Sequence, residues 1–472
     1  MSHDHHHCCG VSTNIEDYFL TRRQFLNRVG LGIGALGLAT LLPSDLLAAP
    51  TATALNPLAP RLPPLPAKAK SVIHIFAQGA PSHVDTWDPK PALSRMDGKT
   101  LPDGGIAMGS PFKFNKMGQS GIEVCELFPN LGQHIDDMAV IRSMYTDIPA
   151  HDVATVFMNT GSLRIPKPSM GSWVIYGLGT ENQNLPGFIS LRSGGLPPGG
   201  SANYQAAFLP GVYQGASVNT QAQSVQQMIQ NIRNQYLAPA EQRRQINFVH
   251  QLDEIQARNL ANEAALETRL NSYEVAFRMQ AEATDVFDIT KETPETRAAY
   301  GNTPQGKQLL IARRLVERGV RFVQAWHDGW DHHDKLQERL TAKAGEIDKP
   351  LAALMTDLKQ RGLLDSTLVV WGGEFGRKPT KDRNGYEDPG RDHNNKAFCT
   401  WMAGGGIKGG MVYGATDEFG SEAIKDKVHV HDLHATILQC LGFDHTKLTY
   451  RFNGRDFRLT DVAGNVVQPI LA

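Results

Sequence analysis

Eight consecutive residues, His327-Asp328-Gly329-Trp330-Asp331-His332-His333-Asp334, carry three imidazoles and three carboxylates. Three other short stretches have the same character: Ser82-His83-Val84-Asp85, Gly372-Gly373-Glu374-Phe375-Gly376-Arg377 and Gly390-Arg391-Asp392-His393-Asn394. Imidazole and carboxylate together make a mixed N/O donor set. Such a set suits a divalent metal ion of the Zn, Mn, Fe or Mg kind better than Ca, which prefers oxygen alone. Arg377 and Arg391 add guanidinium forks, which match tetrahedral oxyanions but serve equally well in ion pairs with nearby carboxylates.

These stretches lie at the ends of short apolar runs. Residues 71–77, 138–141, 188–191, 320–326, 367–371 and 398–402 have strand character, and 224–236, 239–279, 305–318 and 335–361 carry apolar residues at helical spacing. Strands alternating with helices predict an α/β fold whose largely parallel sheet is covered on both faces. In such a fold, side chains that follow the strand carboxyl ends share one edge of the sheet. Residues 221–299 are rich in Gln, Glu, Arg and Ala and read as a helical insertion. Asp334 is expected to cap the helix that follows it, and Asp432 to cap another, leaving His429, His431 and His434 exposed. The glycine run from Gly404 to Gly410 reads as a β-hairpin turn before a strand at 411–413.

The 472 residues carry 47 Lys+Arg against 48 Asp+Glu, so no basic footprint for nucleic acid is present. Five cysteines exclude a disulfide-built scaffold. Near the start, Arg22-Arg23 precedes a glycine-interrupted apolar run at 29–42 and the small residues Leu47-Ala48-Ala49. This pattern resembles a twin-arginine signal over residues 1–49 and implies export by that machinery to the periplasm or beyond. The run is too short for a stable membrane span, which takes about 20 apolar residues. The cluster of His3, His5, His6, His7, Cys8 and Cys9 would leave with the signal. Six prolines in 50–67 read as a linker, leaving 68–472 as the folded domain.

Several motifs carry a family resemblance. They are Pro111-Phe112-Lys113-Phe114, Ser169-Met170-Gly171-Ser172-Trp173, Trp330-Asp331-His332-His333, Gly372-Gly373-Glu374-Phe375-Gly376-Arg377, Gly390-Arg391-Asp392-His393 and Tyr450-Arg451-Phe452-Asn453-Gly454-Arg455. Together they resemble a bacterial family of twin-arginine-exported proteins of unknown function, related to sulfatases within the alkaline phosphatase-like superfamily. The resemblance implies a three-layer sandwich of the alkaline phosphatase/sulfatase kind. Leu127-Phe128-Pro129-Asn130-Leu131 through Met158-Asn159-Thr160-Gly161 is similar to the sulfatase stretch that holds a Cys or Ser nucleophile, and here His151 stands at that place.

What the resemblance implies for the site is two half-sites. One joins Asp85 and Glu374 beside His151; the other joins Asp331, His333 and His393, with Asp392 nearby. Asp328 and His332 are rival ligands to Asp331 and His333. Phe375 stands where a second-metal ligand is expected. His151 is left with three roles: proton acceptor, modified nucleophile or metal ligand. The expected activity is metal-dependent hydrolysis of sulfate or phosphate esters of a small molecule or polysaccharide. The alternative is a binding or assembly protein that kept the fold without turnover.

Overall fold

The structure is a computed structural model. It describes residues 56–102, 104–163, 167–222, 224–228 and 285–472 apart from 383, with scattered positions between 238 and 251. The signal segment, the N-terminal His/Cys cluster and most of the insertion at 221–299 lie outside the described residues. Pro57–Ala472 forms one compact unit.

Strand formation follows the apolar runs. The strands that frame the site are β1 (Ser71–Ala77), β2 (Met138–Tyr145), β3 (Phe188–Arg192), β4 (Ala216–Asn219), β5 (Phe322–His327) and β6 (Thr367–Gly372), then β7 (Gly376–Lys381), β8 (Arg391–Asn394), β9 (Phe398–Ala403), β10 (Met411–Tyr413) and β11 (Val428–His429). All but β7 and β8 join a nine-stranded sheet in the order β10-β2-β9-β6-β1-β5-β3-β4, with β11 beside β2. β1 pairs in parallel with β5 and β6, and β3 with β4 and β5. β9 alone runs antiparallel to its neighbours, β2 and β6. β7 and β8 form a separate antiparallel hairpin.

Alternation along the strands feeds two cores. In β1, Ile73, Ile75 and Ala77 point into a layer built on α3 (Pro304–Glu317) and α4 (Leu336–Gln360), through Leu309, Leu310, Leu340 and Leu351. Val72 and Phe76 point the other way, against α1 (His151–Thr160), α2 (Met170–Leu178) and α5 (Val430–Cys440), where Phe157, Trp173 and Leu433 fill the space. All seven residues of β1 are buried, as a central strand covered on both faces requires. The fold is therefore a three-layer α/β sandwich with a largely parallel central sheet. Residues of the expected linker pack on this unit: Arg61 N–H donates to Leu178 O at 2.8 Å and Leu65 N–H to Gly442 O at 2.9 Å.

Three local expectations are corrected. The run from Gly404 to Gly410 is no hairpin turn, because β2 lies between β9 and β10 and pairs with both, antiparallel to one and parallel to the other. Asp334 does not cap α4; Lys335 holds that position in the left-handed region (φ 45°), while Asp334 pairs with Arg339 at 2.8 Å. His431 and His434 are buried, not exposed. Their Nε2 atoms meet Gly161 O at 3.1 Å and Met158 O at 2.7 Å, satisfying carbonyls at the end of α1 that have no helical partner. Asp432 does serve the start of α5, as the third residue of a capping box with His429.

Candidate metal centre

Four parallel strands, β1, β2, β5 and β6, deliver their following loops to one edge of the sheet. β5 leads through buried Trp330 to Asp331 and His333. Beyond β6 lies Glu374, and the loop after β2 runs into α1, whose first residue is His151. His393 comes from β8 of the adjoining hairpin. Close approach of these loops depends on Gly79, beyond β1, which adopts φ +106°; a Cβ there would meet Asp331 N at 2.6 Å.

Asp331 Oδ1 lies 3.3 Å from His151 Nε2, 3.0 Å from His333 Nε2 and 3.4 Å from His393 Nε2. His393 Nε2 is also 3.1 Å from His151 Nε2 and 3.0 Å from His333 Nε2. The outer nitrogens explain this orientation. His151 Nδ1–H donates to Glu374 Oε1 at 2.6 Å, His393 Nδ1–H to Pro149 O at 2.9 Å, and His333 Nδ1–H to Asp382. Each outer partner is an acceptor, so each imidazole carries a proton on Nδ1 and turns Nε2 inward.

That arrangement fits a cation. Nε2 of His333 and of His393 stand 3.0 Å apart, each beside the Asp331 carboxylate, while both Nδ1 atoms are spent on outer acceptors. Ligands on adjacent positions around an ion with bonds of about 2.0–2.2 Å stand roughly 3 Å apart, matching the three separations among His151, Asp331 and His393. Outward hydrogen bonds from Nδ1 to carboxylates and carbonyls are the usual support of metal-ligating histidines. His151, Asp331 and His393 are one group whose ligand atoms lie within 4.8 Å of one another; His333, Asp382 and Asp392 are another. Because His333 Nδ1–H is spent on Asp382, the second group reads as the outer support of the first.

The electrostatics agree. Burial lowers the pKa of His151, but hydrogen bonds to Asp331 and Glu374 outweigh it and raise the value to about 9. Partial desolvation opposes the charge of Asp331, yet its bonds with His151, His393 and Arg377 hold its pKa well below the usual carboxylate range.

The remaining expected site residues stand around this core. Glu374 is fully buried and also accepts Gly79 N–H at 2.9 Å. Arg377 uses all five N–H donors inside the protein: on Ala80 O (3.0 Å), Gly79 O (2.6 Å), Arg391 O (3.1 Å), His333 Nε2 (3.3 Å) and Asp331. Asp85 makes none of the contacts that join the four donors. Both of its oxygens accept from Arg391, at 2.6 and 3.0 Å, and the two side chains are completely buried. Asp392 pairs with Lys378 at 2.7 Å on the surface and accepts His393 N–H at 2.7 Å. His332 is buried and makes none of the contacts that join the donors, and Asp328 is exposed. Phe375 packs its ring 4.8 Å from those of His151 and His393, an apolar wall on one side. Asp382 and the Pro149 carbonyl carried no sequence signal: one lies in a loop after a strand without alternation, the other is backbone.

Fold and site together define a three-layer α/β protein with a candidate metal centre at the carboxyl edge of its sheet. The chain belongs to the family described as protein of unknown function (DUF1501), which matches residues 69–471. No curated protein matches the sequence. Among solved structures it is similar to Ps i-CgsB in complex with k-i-k-neocarrahexaose, at 12% identity and TM-score 0.36 over 81% of this chain and 72% of that one. It is also similar to the PsFucS1 sulfatase from Pseudoalteromonas sp., at 13% and 0.36 over 81% and 68%. A third is the alkaline phosphatase of the Antarctic bacterium TAB5, at 11% and 0.32 over 74% and 94%.

Proposed function

We propose that this protein is an exported, metal-dependent hydrolase of sulfate or phosphate esters, acting in the periplasm or outside the cell. One observation carries the reading: three imidazoles anchored outward through Nδ1 turn Nε2 toward a single carboxylate, Asp331. His151, Asp331 and His393 would hold the ion, with His333 beside them. When bound, a divalent ion there supplies Lewis acidity, polarising an ester oxygen and acidifying water.

The chain's own groups do the rest. Glu374, Asp382 and the Pro149 carbonyl hold the three rings in one tautomer. Arg377 fixes Asp331 from below and offsets its charge. α1 starts at His151 without a side-chain cap, so the positive end of its dipole lies beside the cluster, where it favours an anionic ester. His151 takes a ligand's part in this reading. Its Nε2 faces the other donors and its Nδ1–H is committed to Glu374. The ester class rests on the resemblance of the motifs to the sulfatase branch, and export rests on the Arg22-Arg23 segment. No described helix is long and apolar enough to cross a membrane.

The second reading, a metal-holding protein without turnover, is favoured by Arg377, whose five donors are already used. Assay of the full chain on aryl sulfates and aryl phosphates, with and without chelator, separates the two. The hydrolase reading expects cleavage of one ester class that chelation abolishes and metal restores. Failure to cleave either ester with metal bound leaves the second reading.

A further inference from the structure

We infer that the centre takes one transition-metal ion, of the Zn, Co or Fe class, and that the Arg391 guanidinium holds the positive charge a second cation would bring to Asp85. The inference rests on the metal-centre reading above and extends it to the number and class of ions. The inward donor set is two imidazole nitrogens, of His151 and His393, and one carboxylate oxygen of Asp331, with His333 Nε2 beside them. Calcium takes six to eight oxygen ligands, and magnesium keeps an octahedral shell of oxygens and water; imidazole nitrogen suits Zn, Fe, Ni and Cu instead. A nitrogen-rich pocket therefore discriminates against both hard ions by donor type.

The number of ions follows from where the remaining carboxylates are spent. Asp85 lies beyond β1, on the same sheet edge, yet it is closed to a metal. Arg391 Nε donates to Oδ2 at 2.6 Å and Nη2 to Oδ1 at 3.0 Å, while Ser82 Oγ adds a bond to Oδ2 at 2.5 Å. Neither member of the pair is exposed, so a cation could reach Asp85 only by expelling a buried guanidinium. Arg391 is held from its other side by the carbonyls of Met108 (2.9 Å) and Lys378 (3.4 Å). Glu374 is likewise occupied, by His151 and by the Gly79 N–H. The group of His333, Asp382 and Asp392 offers no independent second site, because His333 Nδ1–H is bonded to Asp382 and Asp392 is paired with Lys378.

The test loads the chelator-stripped exported protein, freed of the signal segment and its His/Cys cluster, with Co²⁺, Zn²⁺, Mg²⁺ or Ca²⁺. Bound metal is read by elemental analysis after dialysis, and the Co²⁺ form by its visible absorption. About one equivalent of Co²⁺ or Zn²⁺ is expected, with Mg²⁺ and Ca²⁺ in excess displacing less than roughly a tenth of it. His393→Ala should lose the cobalt absorption, and Asp392→Asn should keep it. Two equivalents of bound metal, or displacement of Co²⁺ by Ca²⁺ or Mg²⁺, overturns the inference. Turnover by a calcium- or magnesium-loaded protein would sink this inference and leave the hydrolase reading standing. One equivalent of cobalt in a protein inert to both esters would do the reverse.

Discussion

Glu374, completely buried beyond β6, accepts the Nδ1–H of His151 at 2.6 Å and the backbone N–H of Gly79 at 2.9 Å. One carboxylate thereby ties the loops after β1 and β6 to the first residue of α1. It fixes which nitrogen of His151 is free. Replacing Glu374 by Gln keeps an acceptor but removes the charge that makes the ring a stronger donor. Metal affinity of Glu374→Gln is expected to fall by about 10- to 100-fold, measured by calorimetric titration with Zn²⁺. An unchanged affinity would show that Glu374 does not orient a ligand.

Uptake of metal should release acid. The His151 pKa, raised to about 9 by its carboxylate neighbours against the effect of burial, leaves the ring protonated at neutral pH in the metal-free protein. A cation needs that nitrogen's lone pair, so binding at pH 7 is expected to release close to one proton and to strengthen as pH rises toward 9. Calorimetry in buffers of different ionisation enthalpy counts the proton directly.

Gly79→Ala should damage both stability and the site. The backbone there is in the left-handed half of φ space, and the added Cβ would meet backbone of Asp331 and Trp330 within 3.0 Å. A loss of about 1–3 kcal/mol in denaturant unfolding is expected, together with weaker metal binding. Loss of stability with metal affinity intact would separate this glycine from the centre.

The Asp85–Arg391 pair is expected to be structural. Asp85→Asn leaves a buried guanidinium uncompensated and should cost about 3–5 kcal/mol. Ester hydrolysis per bound metal should remain in the fraction that folds, since neither side chain touches the four donors.

Acid should destabilise the fold from its other face. Burial lowers the pKa of His74 to about 4 and that of His434 to about 3, against an ordinary value near 6.5. Both are neutral in the folded protein and protonate freely once unfolded. Their contribution is therefore complete above pH 6.5 and lost as pH falls from there toward 4 and 3, on the order of 3 kcal/mol for each histidine. Unfolding free energies measured between pH 7 and 4 check this, and His434→Gln should flatten the profile.

Much of the scaffold was legible because it is written in apolar runs. β1, β5, β6 and β9, with α3 and α4, lie within two residues of the segments their periodicity marked. The family resemblance placed Asp331, His333 and His393 in one half-site and Asp85, Glu374 and His151 in the other, and Asp331, His333 and Glu374 do follow strand ends. What the residue string did not show is that His151 bonds to both sets and makes one centre of two half-sites. The β7–β8 hairpin, which carries Arg377, Arg391 and His393, has no alternation to mark it: Gly-Arg-Lys-Pro-Thr-Lys mixes buried and exposed positions out of step. Choice of partner was equally hidden. Asp85 had a metal or an arginine open to it, and only three-dimensional proximity awards it to Arg391, 306 positions away. The buried His431 and His434 were misjudged for the same reason, since the carbonyls they satisfy lie at the end of α1, 270 and 276 residues upstream.

The most direct measurement is anomalous diffraction from crystals of the full chain soaked in zinc or cobalt, collected at the absorption edge of the metal. A single strong peak is expected within about 2.0–2.3 Å of Asp331 Oδ1 and of the Nε2 atoms of His151 and His393, with His333 Nε2 beside it. A peak at Asp85, or none among these four side chains at saturating metal, would contradict the account.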